Sequence, residues 1–417
     1  MKLFRINIYL KIRFYILSFF LRNKDVEKFI SKQINKTSNK TYFILTSQLR
    51  VSFLILLKYL KLKFPKKNEI ILSPYNLPEM INVAKNLKYK IKFCDINYKS
   101  GFFEIKKLKK IINNKTSSIV TTNMFNTFDD SMSIRKICKS RKIILIEDNA
   151  IYFDNYKMKK NVKKYSGGFG KYSLYSFNIM KNISALYGGG VSTNDKEFNI
   201  FAKNELNKYS TFPIQLIIKQ SVIFIILKFL SIRILYKIFF FNIVKYAHFN
   251  KNLFLLKIFY PSLKFKQIKF PEYYFAKISN ISKKLIYLQL NDSKSRTSNH
   301  NIRKINNNYY SRKFKEKNIE QVRLINIKDS NFQNFIDYPI LVKKKNLLNK
   351  FLLSNGAELR IIYYKNCGKI FNNDKSYFPV SEKYENEIIC LPNHRNINTK
   401  YIDFIINLIS DFYRKNV

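Results

Sequence analysis

In the stretch SLYSFNIMKNISALYGGGVSTND, Ser173 to Asp195, Lys181 stands five residues after Ser176 and seven before Gly188, the first of three consecutive glycines. A lysine amine that is partly desolvated gives up its proton and can form a Schiff base with an aldehyde cofactor, which then acts as an electron sink. Upstream, the apolar run IILIED, Ile143 to Asp148, ends in two carboxylates where a parallel strand would open onto a site. Asp148 would favour the protonated form of a cofactor's ring nitrogen by direct charge pairing. Ser176 could hydrogen-bond a cofactor phosphate, and Gly188 to Gly190 would let the backbone turn tightly or approach a neighbour closely. Taken singly, none of these features is specific. Most of the 77 lysines and arginines must be solvated surface charges, and an aspartate at a strand end is commonly a cap or turn residue.

Order and spacing make the set informative. Glu147-Asp148, Ser176-Phe177, Lys181, Gly188-Gly189 and Thr193-Asn194-Asp195 follow one another in a pattern that resembles the DegT/DnrJ/EryC1/StrS family of sugar aminotransferases. EIILSPY (Glu69 to Tyr75), KISNISKKLIYLQL (Lys277 to Leu290) and FPVSEKYENEIICLPNH (Phe378 to His394) extend the resemblance over most of the chain. The resemblance implies an α/β architecture of the fold type I class dependent on pyridoxal 5′-phosphate. Such a fold has a large domain with a mostly parallel mixed sheet flanked by helices, and a smaller C-terminal α/β domain. It implies that Lys181 carries the cofactor, with Asp148 at the ring nitrogen and Ser176 at the phosphate. The start of the helix in TSQLRVSFLILLKYLKLK, about Gln48 to Val51, would wrap that phosphate and so bring in Arg50 and Val51. It also implies transamination, with glutamate as the usual donor and a nucleotide-linked keto sugar as acceptor, for surface polysaccharide. Sister enzymes that dehydrate their sugar carry histidine in place of the lysine, so Lys181 argues for amination. The active sites of such enzymes lie at a homodimer interface.

Three positions depart from the family pattern. The aromatic residue expected against the cofactor ring falls on Leu77, with Tyr75 two residues earlier, and either could pack the ring face. The glutamine expected near the phenolic oxygen falls on Ile151, within Asn149-Ala150-Ile151. The asparagine expected to reach the neighbouring subunit's phosphate falls on Phe275. These departures keep a second reading open, a non-catalytic membrane-associated relative that binds sugar nucleotides or a protein partner. Arg360, Tyr363 and Tyr364 could line a substrate cleft or sit in core or surface. His394 is read as structural.

The positioning elements follow from pattern. At 417 residues and 46% hydrophobic content the chain holds more than one domain. We divide it into a basic apolar N-terminal segment (1–40), a large cofactor domain (41–205), a basic hydrophobic insertion (206–271) and a linking helix with a small domain (272–417). EIILS, YKIKFCDI, YPILVKK and ELRIIYY read as strands. NLLNKFLLSNG reads as a helix closed by Gly356, and YIDFIINLISDFY as a terminal amphipathic helix. The formal charge of +50 favours anionic partners. No recognisable motif supports nucleic acid among them. Four scattered cysteines read as free thiols in a reducing, cytoplasmic setting.

Two stretches invite a membrane. MKLFRINIYLKIRFYILSFFLRNK has only a short uncharged run, Phe14 to Leu21, with no small-residue cleavage site behind it, so no secretion signal is read. From Leu206 to Pro271 there is no Asp or Glu, while lysines and one arginine punctuate apolar runs too short to span a bilayer. Both stretches suit helices lying on acidic headgroups at the inner face of a membrane, and both suit packing against protein.

Overall fold

Strands β5 (Thr116–Thr122) and β6 (Ile144–Asp148) are buried along their whole length, which explains why ILIED reads as a continuous apolar run and not an alternating one. They lie at the middle of a sheet whose other members are β1 (Tyr42–Thr46), β2 (Glu69–Leu72), β4 (Lys90–Phe93), β7 (Tyr172–Ser176) and β8 (Gly189–Thr193), in the order β1-β8-β7-β6-β5-β2-β4. The β2/β4, β2/β5, β5/β6 and β6/β7 pairs are parallel, whereas β8 runs antiparallel to both β7 and β1. The computed structural model describes residues 2–124, 130–151, 167–259, 265–325, 336–360, 362–371 and 377–415. A two-residue strand, β3 (Tyr75–Asn76), leaves the large sheet to pair with β11 (Lys365–Asn366) of the second half.

The Leu49–Lys63 helix is apolar nearly all round, and most of its residues are buried, from Leu49 and Val51 to Leu60. A helix of that kind belongs inside the molecule, and this one packs against β8, β7 and the Lys196–Asn207 helix in one core cluster. The smaller domain stacks β9 (Val322–Leu324), β10 (Asp337–Val342) and β12 (Ile388–Pro392) against the Ser293–Lys317 and Thr399–Lys415 helices. Asp292 closes one helix, Asn280–Asn291, and caps the next through Ser295 N–H, so one residue turns the chain between them. Gly356, at φ +96°, ends the Lys345–Ser354 helix as expected. ELRIIYY, expected as a strand, makes only an isolated bridge from Arg360 to Cys390 among the described residues. Arg360, Ile362, Tyr363 and Tyr364 line a cleft instead, while Glu358 pairs with Arg5.

The N-terminal segment is part of the fold. Leu3 bridges to Ala357, the Phe4 carbonyl lies 3.1 Å from His394 Nε2, and the Val26–Ser38 helix packs on the Asn280–Asn291 helix. The structural role expected for His394 is therefore to hold the chain's first residues, and burial lowers its pKa to about 4, which keeps the ring neutral. The insertion folds as helices Ile214–Leu230, Arg233–Phe249 and Leu253–Phe259, the second containing a π turn at Tyr236–Phe240.

Arg5 and Glu358 form a buried ion pair to which the Tyr236 hydroxyl also donates, joining N-terminal segment, insertion and small domain at one point. Arg5→Ala strands the Glu358 carboxylate in a buried site, so we expect a loss of about 3–5 kcal/mol in urea unfolding. A change within experimental error would show that the network is not what fastens these three parts.

Candidate active site

β6 ends at Asp148 and β7 ends at Ser176, on the same edge of the parallel part of the sheet, and the turn after β7 carries Lys181. That edge, at the carboxyl ends of parallel strands, is where open α/β sheets bind ligands. Asp148 is buried, with Oδ1 accepting the Ala150 N–H at 2.9 Å. Burial pushes its pKa up to about 6, against the opposing pull of that hydrogen bond and of Lys181. Its neighbour Glu147 is fully buried too, but Oε2 accepts from Phe169 N, Gly170 N and Ser173 Oγ, so it organises the chain beneath the site.

Lys181 reaches into a cleft of about 110 Å³ lined also by Leu77, Met124, Ile151, Asp337, Arg360 and Tyr364. Desolvation lowers its pKa to about 8, the Arg360 charge adding to the effect while Asp148 and Asp337 oppose it. A fraction of the amine is thus neutral near physiological pH, far more than for an ordinary lysine, and the neutral form is the one that attacks a carbonyl carbon. Arg360 Nη1 donates to both Asp337 oxygens, at 2.8 and 2.7 Å, across the mouth of this cleft.

A second constraint assembles the other end of the site. Gly189 stands opposite Ser176 in the β7/β8 ladder. A Cβ on Gly189 would lie 2.2 Å from both Gln48 C and Leu49 N, so only glycine lets the helix start sit directly on β8. Val51 N–H and Ser52 N–H turn back to the Gln48 carbonyl, at 3.1 and 3.2 Å. The Leu49 and Arg50 N–H groups precede the first intrahelical bond, as at any helix start. A helix N-terminus and a serine hydroxyl brought side by side suit a phosphate. The residues present therefore fit pyridoxal phosphate at both ends: a carboxylate and a desolvated lysine at one, an open helix start at the other.

The structure sorts the sequence-derived set. It brings Lys181, Asp148 and Leu77 together, and it places Ser176 beside the helix start. Val51 has its side chain fully buried in the core, with its N–H bonded to the Gln48 carbonyl. Arg50 lies at the helix start with its guanidinium 3.2 Å from the Tyr274 hydroxyl and 3.7 Å from Glu79. Tyr75 is buried against Tyr364 and Tyr384, so Leu77 is the residue of that loop in the cleft. Ile151 lines the cleft as well, whereas Phe275 packs on Tyr209 and Phe270 away from it. Arg360, Tyr363 and Tyr364 do line the cleft. Asp337, Met124, Pro339 and Cys390 also line it and had no signal in the sequence. Asp337 opens a strand whose apolar pattern was legible, but its pairing with Arg360 is tertiary.

The sequence model of the DegT/DnrJ/EryC1/StrS aminotransferase family matches residues 19–205 and 274–410. The chain belongs to this family. The unmatched interval contains the basic hydrophobic insertion. A UDP-4-amino-4,6-dideoxy-N-acetyl-beta-L-altrosamine transaminase of Helicobacter pylori is 29% identical over 133 residues, 32% of this chain and 34% of that protein. The chain thus spans about a third of the length of that curated relative. Helicobacter pylori PseC, an aminotransferase involved in the biosynthesis of pseudoaminic acid, superposes with a TM-score of 0.72 at 17% identity, covering 99% of this chain and 98% of that one. The Escherichia coli GDP-4-keto-6-deoxy-D-mannose-3-dehydratase, solved with bound hydrated pyridoxal phosphate, superposes with a TM-score of 0.69 at 18% identity, over 97% of this chain and 100% of that one. The fold expected from the sequence is therefore the fold observed, that of the pyridoxal phosphate-dependent aminotransferases.

Two outcomes follow from this geometry. Covalent capture of pyridoxal phosphate, trapped by borohydride at a series of pH values, should accelerate as pH rises through about 8, because Lys181 loses its proton there; a rate flat from pH 6 to pH 10 would remove Lys181 as the reacting amine. Gly189→Ala should cost roughly 1–3 kcal/mol in unfolding and also lower capture, since the new methyl pushes the helix start away from Ser176.

Proposed function

We propose that the chain is a pyridoxal phosphate-dependent aminotransferase that moves an amino group, with glutamate as donor, onto a nucleotide-linked keto sugar. The observation that carries this reading is the desolvated Lys181, in the turn after β7, within electrostatic reach of buried Asp148 at the end of β6, beside a helix start kept open by Gly189. Bound there, pyridoxal phosphate supplies an aldehyde carbon and an electron-accepting ring. Asp148, ionised above about pH 6, keeps the proton on the ring nitrogen. Ser176 and the Leu49 and Arg50 N–H groups hold the phosphate. Leu77 and Ile151 offer apolar surface where the family has polar or aromatic contacts, so they exclude water and leave orientation to the two ends. Lys181 Nζ would hold the cofactor at its aldehyde carbon and would take and return the proton at the substrate carbon. Arg360 is placed to receive an anionic group of donor or acceptor, provided Asp337 shares it.

The names of the relatives support a nucleotide sugar as acceptor, and the basic character of the chain suits its diphosphate. The reading includes a homodimer, as in the fold family, and a station on the cytoplasmic face of a membrane, which the insertion supports. A binding-only relative has no reason to retain a desolvated lysine beside a buried carboxylate, and that pair favours catalysis.

The test is an absorbance spectrum of purified protein with added pyridoxal phosphate, before and after borohydride, for wild type and Lys181→Ala. We expect a visible band that borohydride fixes covalently on Lys181 and that glutamate shifts toward the amino form. Asp148→Asn should keep the adduct but slow the glutamate-driven change by roughly tenfold or more, as befits a lost ring-nitrogen partner. Folded wild-type protein without an adduct would leave the binding-only reading.

A further inference from the structure

The helices outside the family match present an apolar surface that no described residue covers. On the Ile214–Leu230 helix, Ile214, Ile218, Val222, Ile225 and Phe229 are exposed, at intervals of three and four residues that make one stripe. The opposite stripe, including Ile217, Phe224 and Leu227, is buried in the core. This helix is therefore apolar on both faces but partnered on one. The N-terminal Ile12–Phe20 helix repeats the arrangement: Phe14 points inward, while Ile12, Ile16, Phe19 and Phe20 point out, Phe20 with 80% of its surface exposed. Further along the insertion, Ile234, Phe239, Tyr246 and Phe254 are exposed as well.

These elements, some two hundred residues apart in sequence, are fastened together. The Tyr15 and Phe224 rings lie 5.4 Å apart, Lys228 Nζ donates to the Ile8 carbonyl at 2.6 Å, and Phe4 packs on Tyr236 at 5.3 Å. Their relative placement is thus set by buried contacts. Exposed cations border them: Arg13 and Arg22 on the N-terminal side, and Lys219, Arg233, Lys237 and Lys251 on the insertion. No carboxylate occurs in residues 1–24 or 206–271.

We propose that the Ile12–Phe20 helix and the insertion helices together form one docking surface for an anionic phospholipid bilayer, lying in its plane. The apolar stripes enter the acyl boundary and the bordering lysines and arginines meet headgroup phosphates. No helix among the described residues is long and apolar enough to cross a membrane, which agrees with in-plane seating. Charge selects lipid over a second copy of the chain. Two copies joined through this face would bring basic segments together with no carboxylate in either to relieve them, whereas anionic headgroups complement every one of those cations. The inference does not rest on the aminotransferase reading, because lipid binding and cofactor capture are separate measurements.

The experiment is co-sedimentation of the full-length protein with vesicles of phosphatidylcholine alone or with added phosphatidylglycerol, at low and high salt. We expect the bound fraction to rise roughly tenfold with phosphatidylglycerol and to fall with salt. Ile218→Glu, Val222→Glu and Phe229→Glu combined should abolish sedimentation while leaving borohydride capture at Lys181 intact, which reports the fold. Lys219→Glu, Arg233→Glu and Lys237→Glu combined should remove the lipid preference. If wild type, folded by circular dichroism, ignores both vesicle types, the proposal fails. If the three-glutamate apolar variant binds vesicles as before but loses mass by light scattering, the face is a contact between copies and the proposal is likewise overturned.

Discussion

The close approach of the Leu49–Lys63 helix to β8 is the constraint from which the site follows. Gly189 has no side chain, so the helix start rests on the strand where any Cβ would meet backbone at 2.2 Å. Because β8 returns antiparallel beside β7, that contact sets the helix start next to Ser176, and Lys181 lies in the turn between the two strands. One steric fact thereby brings an open helix start and the Ser176 strand end close to the turn that carries Lys181. The helix can be buried that deeply because its sequence is apolar nearly all round from Val51 to Leu57.

Placing a lysine and an aspartate in the same buried edge of a sheet sets two desolvation costs against each other. Burial alone would drive Lys181 further down and Asp148 further up, and each restrains the other. The second pair, Arg360 and Asp337, sits across the same cleft and adds one charge of each sign to the field on Lys181. The result brings both groups toward neutral pH, Lys181 down to about 8 and Asp148 up to about 6. Leu77 and Ile151 contribute by being apolar, since they keep this field from being screened by water.

The first residues of the chain act as a strap between the insertion and the small domain. Arg5, Phe4 and Ile8 connect the insertion to Glu358 and His394 of the small domain, and Arg360 follows Glu358 by two residues. The insertion and one wall of the cleft therefore share a buried anchor. Sequence alone read the N-terminus as a separate basic segment, because a strap has no periodicity of its own and is recognised only by what it joins.

What the sequence determined by itself was the local material: the apolar runs of β6 and β10, the helix closed at Gly356, and the ordered set Asp148, Ser176, Lys181 and Gly189. Residue type, period and spacing suffice for these, since helix and strand formation and glycine's freedom are properties of short stretches. The tertiary structure decided the rest. It turned Val51 into the core, chose Leu77 over Tyr75 for the cleft, paired Asp337 with Arg360, and laid the first twenty residues against the insertion. Each of those outcomes depends on which side chains meet across long sequence separations, where burial and charge act through space and leave no periodic mark on the chain.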